Sequence, residues 1–202
     1  TFYQAPGRMN VFDEHPFKVL FDYGHNAHAV GVMADLAQRL DVKGRRIVVM
    51  AGPGDRRDED LKAIALAVAG RFDHYICRRD DQLRDRAPEE VPRLLAQTLR
   101  EAGVSGSRIE IIPDEREAID AALRMGDAGD LLLVFADHLT RSWKQIIKFR
   151  PAGSSTELTA PGALSPAPAV SLAERPPEAS VLSLEGLIRD ERGIRFAPGG
   201  ED

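Results

Sequence analysis

Cysteine is nearly absent from this chain. Cys77 stands alone, which excludes an intrachain disulfide and fits a reducing, cytoplasmic setting. No apolar run is long enough to cross a bilayer. Positive charge is not in excess either: the formal net charge is −5, which removes any general attraction to nucleic acid or to an anionic membrane. The opening residues, Thr1-Phe2-Tyr3-Gln4, offer neither an initiator Met nor the basic and apolar blocks of a signal peptide. The chain therefore reads as a fragment of a longer polypeptide. Catalytic signatures are missing too. There is no Gly-x-x-x-x-Gly-Lys-Ser/Thr to cradle a triphosphate, no zinc-ligand spacing and no Gly-x-Ser-x-Gly nucleophile elbow. Alone, the chain is not expected to hydrolyse or transfer anything.

What is present is a regular alternation of strand and helix signals. Residues 1–17 read as an interdomain linker, with Pro6-Gly7-Arg8, leading into a short strand near Met9 to Phe12. Residues 18–150 read as one domain. Strands are predicted at 18–21, 46–51, 74–77, 108–112 and 131–135, and helices at 29–40, 58–72, 88–102, 115–125 and 139–148. The run Leu131 to Phe135 is apolar at every position, as suits a strand covered on both faces. Repeated β-α alternation predicts an α/β fold with a Rossmann-like, doubly wound, mostly parallel sheet and right-handed crossovers. From Pro151 to Ala179, Pro, Ala, Ser and Gly dominate and the periodicity vanishes, apart from an apolar relapse at 181–188. Residues 151–202 are expected to form a low-complexity, largely disordered tail.

Three polar clusters follow predicted strands and so share one edge of the sheet, where open α/β sheets hold ligands. Asp22-Tyr23-Gly24-His25-Asn26 ends the first strand of the domain. A carboxylate binds ribose hydroxyls or Mg²⁺, and imidazole and amide groups donate to phosphate oxygens. Equally, Asp22 and Asn26 serve as helix caps and His25 is merely exposed. Gly52-Pro53-Gly54-Asp55-Arg56-Arg57-Asp58 opens the second helix. Its glycines free backbone N–H groups beside a helix N-terminus, and Asp55, Arg56 and Arg57 carry both signs of charge that a zwitterionic amino acid needs. The acidic residues after it also complement the helix dipole without any ligand. The third cluster, Arg78 to Arg86, reads by composition as a solvated charge run, and only its place on the same edge raises it. Asp137 and His138 share that edge and receive no role.

In order along the chain, these pieces resemble the C-terminal domain of the ATP-dependent amide-forming ligases that include the muramyl ligases and folylpolyglutamate synthases. The resemblance covers about residues 5 to 150. Gly7-Arg8-Met9-Asn10 resembles the interdomain Gly-Arg segment, and Asp22 to Asn26 the Asp-Tyr-Ala/Gly-His-Asn-Pro signature. Gly52 to Asp58 and Asp80-Asp81-Gln82-Leu83-Arg84 resemble the Gly-x-x-Gly-Asp-Arg-Arg-Asp and Asp-Asp-x-Leu-Arg stretches of the cyanophycin synthetase branch. Gly129-Asp130-Leu131 resembles the Gly-Asp-Leu that opens a late strand. Two departures stand out: Ala27 replaces the usual Pro, and Asp85 replaces a common Gly.

The resemblance implies a function. ATP phosphorylates a carboxylate, and an amine displaces the phosphate to form an amide. In the cyanophycin branch, arginine is added to an aspartate side chain of an acidic polymer. A murein-peptide or folate ligase, or a non-catalytic binding module of the same fold, stay open as alternatives. Asp22, His25 and Asn26 are the implied catalytic residues. Arg8, Asp22 and His25 are the implied nucleotide contacts. Gly54, Asp55, Arg56, Asp81 and Arg84 are the implied amino-acid contacts. ATP and Mg²⁺ are the implied cofactors, with Mg²⁺ and the P-loop held mainly by a preceding domain. The expected partners are ATP, arginine and an acidic peptide or polymer acceptor, with neither nucleic acid nor membrane, in a homo-oligomeric full-length protein.

Overall fold

The structure, a computed structural model, describes residues 7–151, 187–190 and 193–196. The first body is built on six strands: β1 (Asn10–Phe12), β2 (Lys18–Asp22), β3 (Arg46–Met50), β4 (His74–Cys77), β5 (Ile109–Ile111) and β6 (Leu131–Phe135). Five helices alternate with them: α1 (Ala27–Arg39), α2 (Asp58–Val68), α3 (Glu90–Glu101), α4 (Glu115–Met125) and α5 (Leu139–Lys148). The sheet order is β1-β2-β6-β3-β4-β5, with β1 antiparallel and every other pairing parallel. β6, the last strand of the series, inserts between β2 and β3 and forms the centre of the sheet.

Period-two alternation along the strands sorts the core into two layers. Val48, Met50, Leu131, Leu133 and Phe135 face α1, α2 and α3. Ile47, Val49, Leu132, Val134 and Ala136 face α4 and α5. All five residues of β6 are buried, because both faces of the central strand are covered. This is the doubly wound architecture predicted from the alternation. α2 stops four residues earlier than its apolar pattern predicts. Ala69 leaves helical geometry and Gly70 adopts φ +73, which turns the chain so that Phe72 packs into the core instead of extending the helix.

Separately, Leu187–Asp190 pairs antiparallel with Gly193–Phe196 as strands β7 and β8. The relapse noted at 181–188 overlaps the first of these strands, and the rest of the expectation for the tail lies outside the described residues.

One buried charge organises the carboxyl edge of the sheet. Arg78 follows β4, and its side chain is fully buried. Its guanidinium donates to the Phe135 carbonyl from Nη2 at 2.8 Å and to Asp137 Oδ2 from Nη1 at 2.8 Å, and pairs with Glu115 Oε2 at 3.1 Å. Glu115 opens α4 and is equally buried. Burial pushes its carboxyl up, but Arg78, the Ser142 hydroxyl, the Asp137 amide and Arg141 reverse this and hold it below the ordinary value. A folded-state value below the unfolded one means ionised Glu115 stabilises the fold fully above about pH 4.3, and this contribution is lost as pH falls through the lowered folded value.

Arg78→Met is therefore expected to cost about 3–5 kcal/mol, because it strands the Glu115 charge. Arg78→Met/Glu115→Gln should recover much of this and show a smaller stability loss than wild type between about pH 5 and pH 3. Urea unfolding across that range checks both. A single-variant cost below about 1 kcal/mol contradicts the assigned pair.

Candidate functional site

The Asp22 turn is built from backbone amides. Asp22 Oδ1 accepts from the Gly24 N–H at 2.7 Å and Oδ2 from the Met9 N–H at 2.8 Å. The Tyr23 N–H donates to the Gly7 carbonyl at 3.1 Å, and the Gly7 N–H to Asn10 Oδ1 at 2.6 Å. Residues 7–10 are thus stitched onto the turn, with the exposed Arg8 carried between two of these bonds. Gly24 allows the turn to sit against β6, since a Cβ there would lie 2.9 Å from the Phe135 ring. Asn26 caps α1, accepting from the Ala29 N–H at 2.9 Å. His25 is half-buried, with its ring centred 4.9 Å from that of Tyr23. The capping role read for Asn26 is thus present, and Asp22 closes the turn and fastens the preceding segment.

The loops that follow β3 and β4 interlock. A Cβ on Gly54 would come 2.4 Å from the Leu83 carbonyl oxygen, so this backbone-to-backbone approach requires glycine. Arg86 clamps the two loops, donating to the Gly54 and Arg56 carbonyls at 2.9 and 2.8 Å and pairing with Asp58 and Glu90. Arg84 pairs with Asp55 across the same junction. Arg84 and Asp85 adopt φ +49 and +68. The left-handed backbone at Asp85 explains why the resembled loop carries Gly there; Asp tolerates it better than most residues. Gly54, Asp55, Arg56 and Arg84 are thus drawn together at one junction.

Asp81 turns elsewhere. Its carboxylate pairs with Arg141 at 3.0 Å and with His138 at 2.9 Å, both at the β6–α5 junction. Beside it, burial pushes the Asp80 carboxyl up, against the pull of the Gln82 amide. The expected amino-acid contacts therefore form two groups, one around Asp55–Arg84 and one around Asp81. Glu115, Arg141 and Ser142 join the edge without any mention in the sequence reading, and Arg78, Asp137 and His138 join it without an assigned role. Asp137 and His138 carried a weak signal through their position after β6. Glu115 carried none, since an acidic residue opening a helix is ordinary.

The edge offers hydrogen-bond donors and paired charges but no thiolate. Cys77 is buried, and burial pushes its thiol up to about 12. Among the described residues no group of three or more His, Cys, Asp or Glu side chains is placed to hold a metal ion. No described helix is long and apolar enough to cross a membrane.

Comparison with known proteins places the chain in a family. The chain is 40% identical over 146 residues to cyanophycin synthetase of Geminocystis herdmanii, covering 72% of this chain and 16% of that protein. It is 30% identical over 130 residues to the UDP-N-acetylmuramoyl-L-alanyl-D-glutamate–2,6-diaminopimelate ligase of Aquifex aeolicus, covering 64% of this chain and 26% of that protein. The chain thus spans well under a third of these relatives. Among solved structures, a UDP-N-acetylmuramoyl-L-alanyl-D-glutamate–2,6-diaminopimelate ligase superposes with TM-score 0.58 at 22% identity, over 72% of this chain and 32% of that one. Mycobacterium tuberculosis folylpolyglutamate synthase, complexed with ADP and AMPPCP, superposes with TM-score 0.54 at 20% identity, over 73% and 33%. At such identities the structures speak for the fold alone. The model of the Mur ligase, glutamate ligase domain matches residues 7–138, and the chain belongs to that family.

Proposed function

We propose that this chain is the C-terminal domain of an ATP-dependent ligase of the cyanophycin synthetase type, which joins arginine to an aspartate side chain of an acidic polymer in the cytoplasm. The observation that carries the reading is the alternation of carboxylates and guanidiniums along the carboxyl edge: Asp55 with Arg84, and Asp81 with Arg141. An amino acid with a cationic side chain needs both signs at once. A planar guanidinium bonds both oxygens of a carboxylate, and protein arginines do the same for the substrate's α-carboxylate. The identity to cyanophycin synthetase, 40% against 30% for the muramyl ligase above, favours arginine over a murein precursor.

In this reading the acceptor carboxylate oxygen attacks the γ-phosphorus of ATP and ADP leaves. The α-amine of arginine then attacks the acyl phosphate carbon, loses a proton and expels inorganic phosphate as the amide forms. Arg8 contacts a phosphate, Asp22 holds the ribose or the hinge, and His25 and Asn26 serve the phosphate side of the nucleotide. Asp55 and Asp81 take the substrate guanidinium, with Gly54, Arg56 and Arg84 at its α-carboxylate end. The domain closes over a nucleotide held by a preceding domain, which carries the P-loop and Mg²⁺, in a homo-oligomeric enzyme. Closure keeps water from the acyl phosphate.

In the intact polypeptide, Asp22→Ala or His25→Ala should lower kcat by about tenfold to a hundredfold, beyond any change in folded fraction. Unchanged ATP-dependent turnover in both variants refutes the nucleotide role. Asp55→Asn and Asp81→Asn should each raise the KM for arginine about tenfold while leaving that for ATP within about twofold. Wild-type constants in both variants would reduce the pairs to a solvated rim.

A further inference from the structure

The β6–α5 junction lies outside the three loops that carry the proposed contacts, yet it holds the Asp81 carboxylate. Arg141 is the connection. Its Nη2 reaches Asp81 Oδ2 and Glu115 Oε1, each at 3.0 Å. The three side chains grade from core to surface: Glu115 is 0% exposed, Asp81 18% and Arg141 45%. Glu115 cannot swing, because it also accepts from the Ser142 hydroxyl at 2.6 Å and the Asp137 amide at 2.7 Å and pairs with Arg78 at 3.1 Å. An exposed Arg–Asp pair by itself contributes little, since both side chains lose rotamer freedom in making it. Here one partner of the arginine is already fixed in the core, so that freedom is lost on folding rather than on ligand binding. A carboxylate held in place beforehand binds a ligand with less ordering to offset.

We infer that Arg141 is a positioning residue for the amino-acid subsite: anchored on buried Glu115, it presents the Asp81 carboxylate, on the loop that follows β4, to the guanidinium of the incoming arginine. The inference rests on the ligase reading and extends it to a residue of α5 that touches no substrate. Asp81 keeps a free edge for a second cation, because its contacts to Arg141 and to His138 both use Oδ2, leaving Oδ1 without a side-chain partner among the described residues.

The test is steady-state ligation by the intact polypeptide, read as phosphate release with arginine varied and ATP saturating, then the reverse. Wild-type enzyme should release phosphate only when arginine is present. Failure of that control overturns the ligase reading, and this inference with it. With the control met, Arg141→Met should raise the KM for arginine about tenfold, with kcat and the KM for ATP within about twofold. Arg141→Lys, which keeps a cation able to reach one of the two carboxylates, should fall between wild type and Arg141→Met. Because Arg141 is nearly half exposed, both variants should keep the wild-type thermal midpoint to within a few degrees. An unchanged KM for arginine overturns the positioning role while the ligase reading stands. A lowered KM overturns it as well, since it would mean that Arg141 competes with the substrate for Asp81. Equal rises for arginine and ATP, or a loss confined to kcat, do the same.

Discussion

A guanidinium taken out of water must find compensation for several kcal/mol of lost hydration, and at Arg78 that requirement shapes the carboxyl edge of the sheet. The Phe135 carbonyl, Asp137 and Glu115 supply it from β6 and α4, while Arg78 itself belongs to the end of β4. Three elements far apart in sequence are thereby fixed around one charge. Glu115 then gathers the first turn of α5 through Ser142 and Arg141, and Arg141 and His138 hold Asp81. Arg78 and Glu115 are buried while Asp81 and Arg141 reach the surface, so rigidity built in the core extends to the rim where a ligand would dock. A hydrophobic substitute for the pair could match its stability but could not aim a surface carboxylate.

The opposite end of the same edge is held differently. The Asp22 carboxylate accepts from two backbone amides, one of them from Met9 in the segment leading into β1. Because Gly24 must pass close to Phe135, this turn and the Arg78 cluster meet the same residue of the central strand, one through its ring and the other through its carbonyl. The central strand is therefore the common ruler for both halves of the proposed site.

The fold was legible because its signals are local. An unbroken apolar run marks β6, three-and-four spacing marks α1, and Gly or Asp punctuates nearly every strand end. The apolar pattern overshoots the end of α2 because Ala69 and Phe72 continue it, and only the left-handed backbone at Gly70 shows where the chain turns. The polar turns were legible as loops on one edge. Their partners were not: Asp55 with Arg84 lies within a foreseeable junction, but Asp81 with Arg141, or Arg78 with Glu115, join residues whose spacing carries no code. Arg78 looked like one more member of a solvated charge run, and its burial follows from tertiary packing that no window of sequence displays. Asp85 is an intermediate case: the departure from the resembled Gly was visible in the sequence, and the left-handed backbone that explains the Gly is seen only in the structure.

The central claim, that this edge serves the ligation of a cationic amino acid, is tested most directly by supplying the intact polypeptide with ATP, an aspartate-rich acceptor and single amino acids, and measuring phosphate release with product mass. The account predicts release with arginine, a mass gain equal to one arginine less one water for each phosphate released, and little or no release with glutamate or diaminopimelate. Release driven by glutamate or diaminopimelate in place of arginine, or ATP turnover indifferent to the amino acid supplied, would contradict it.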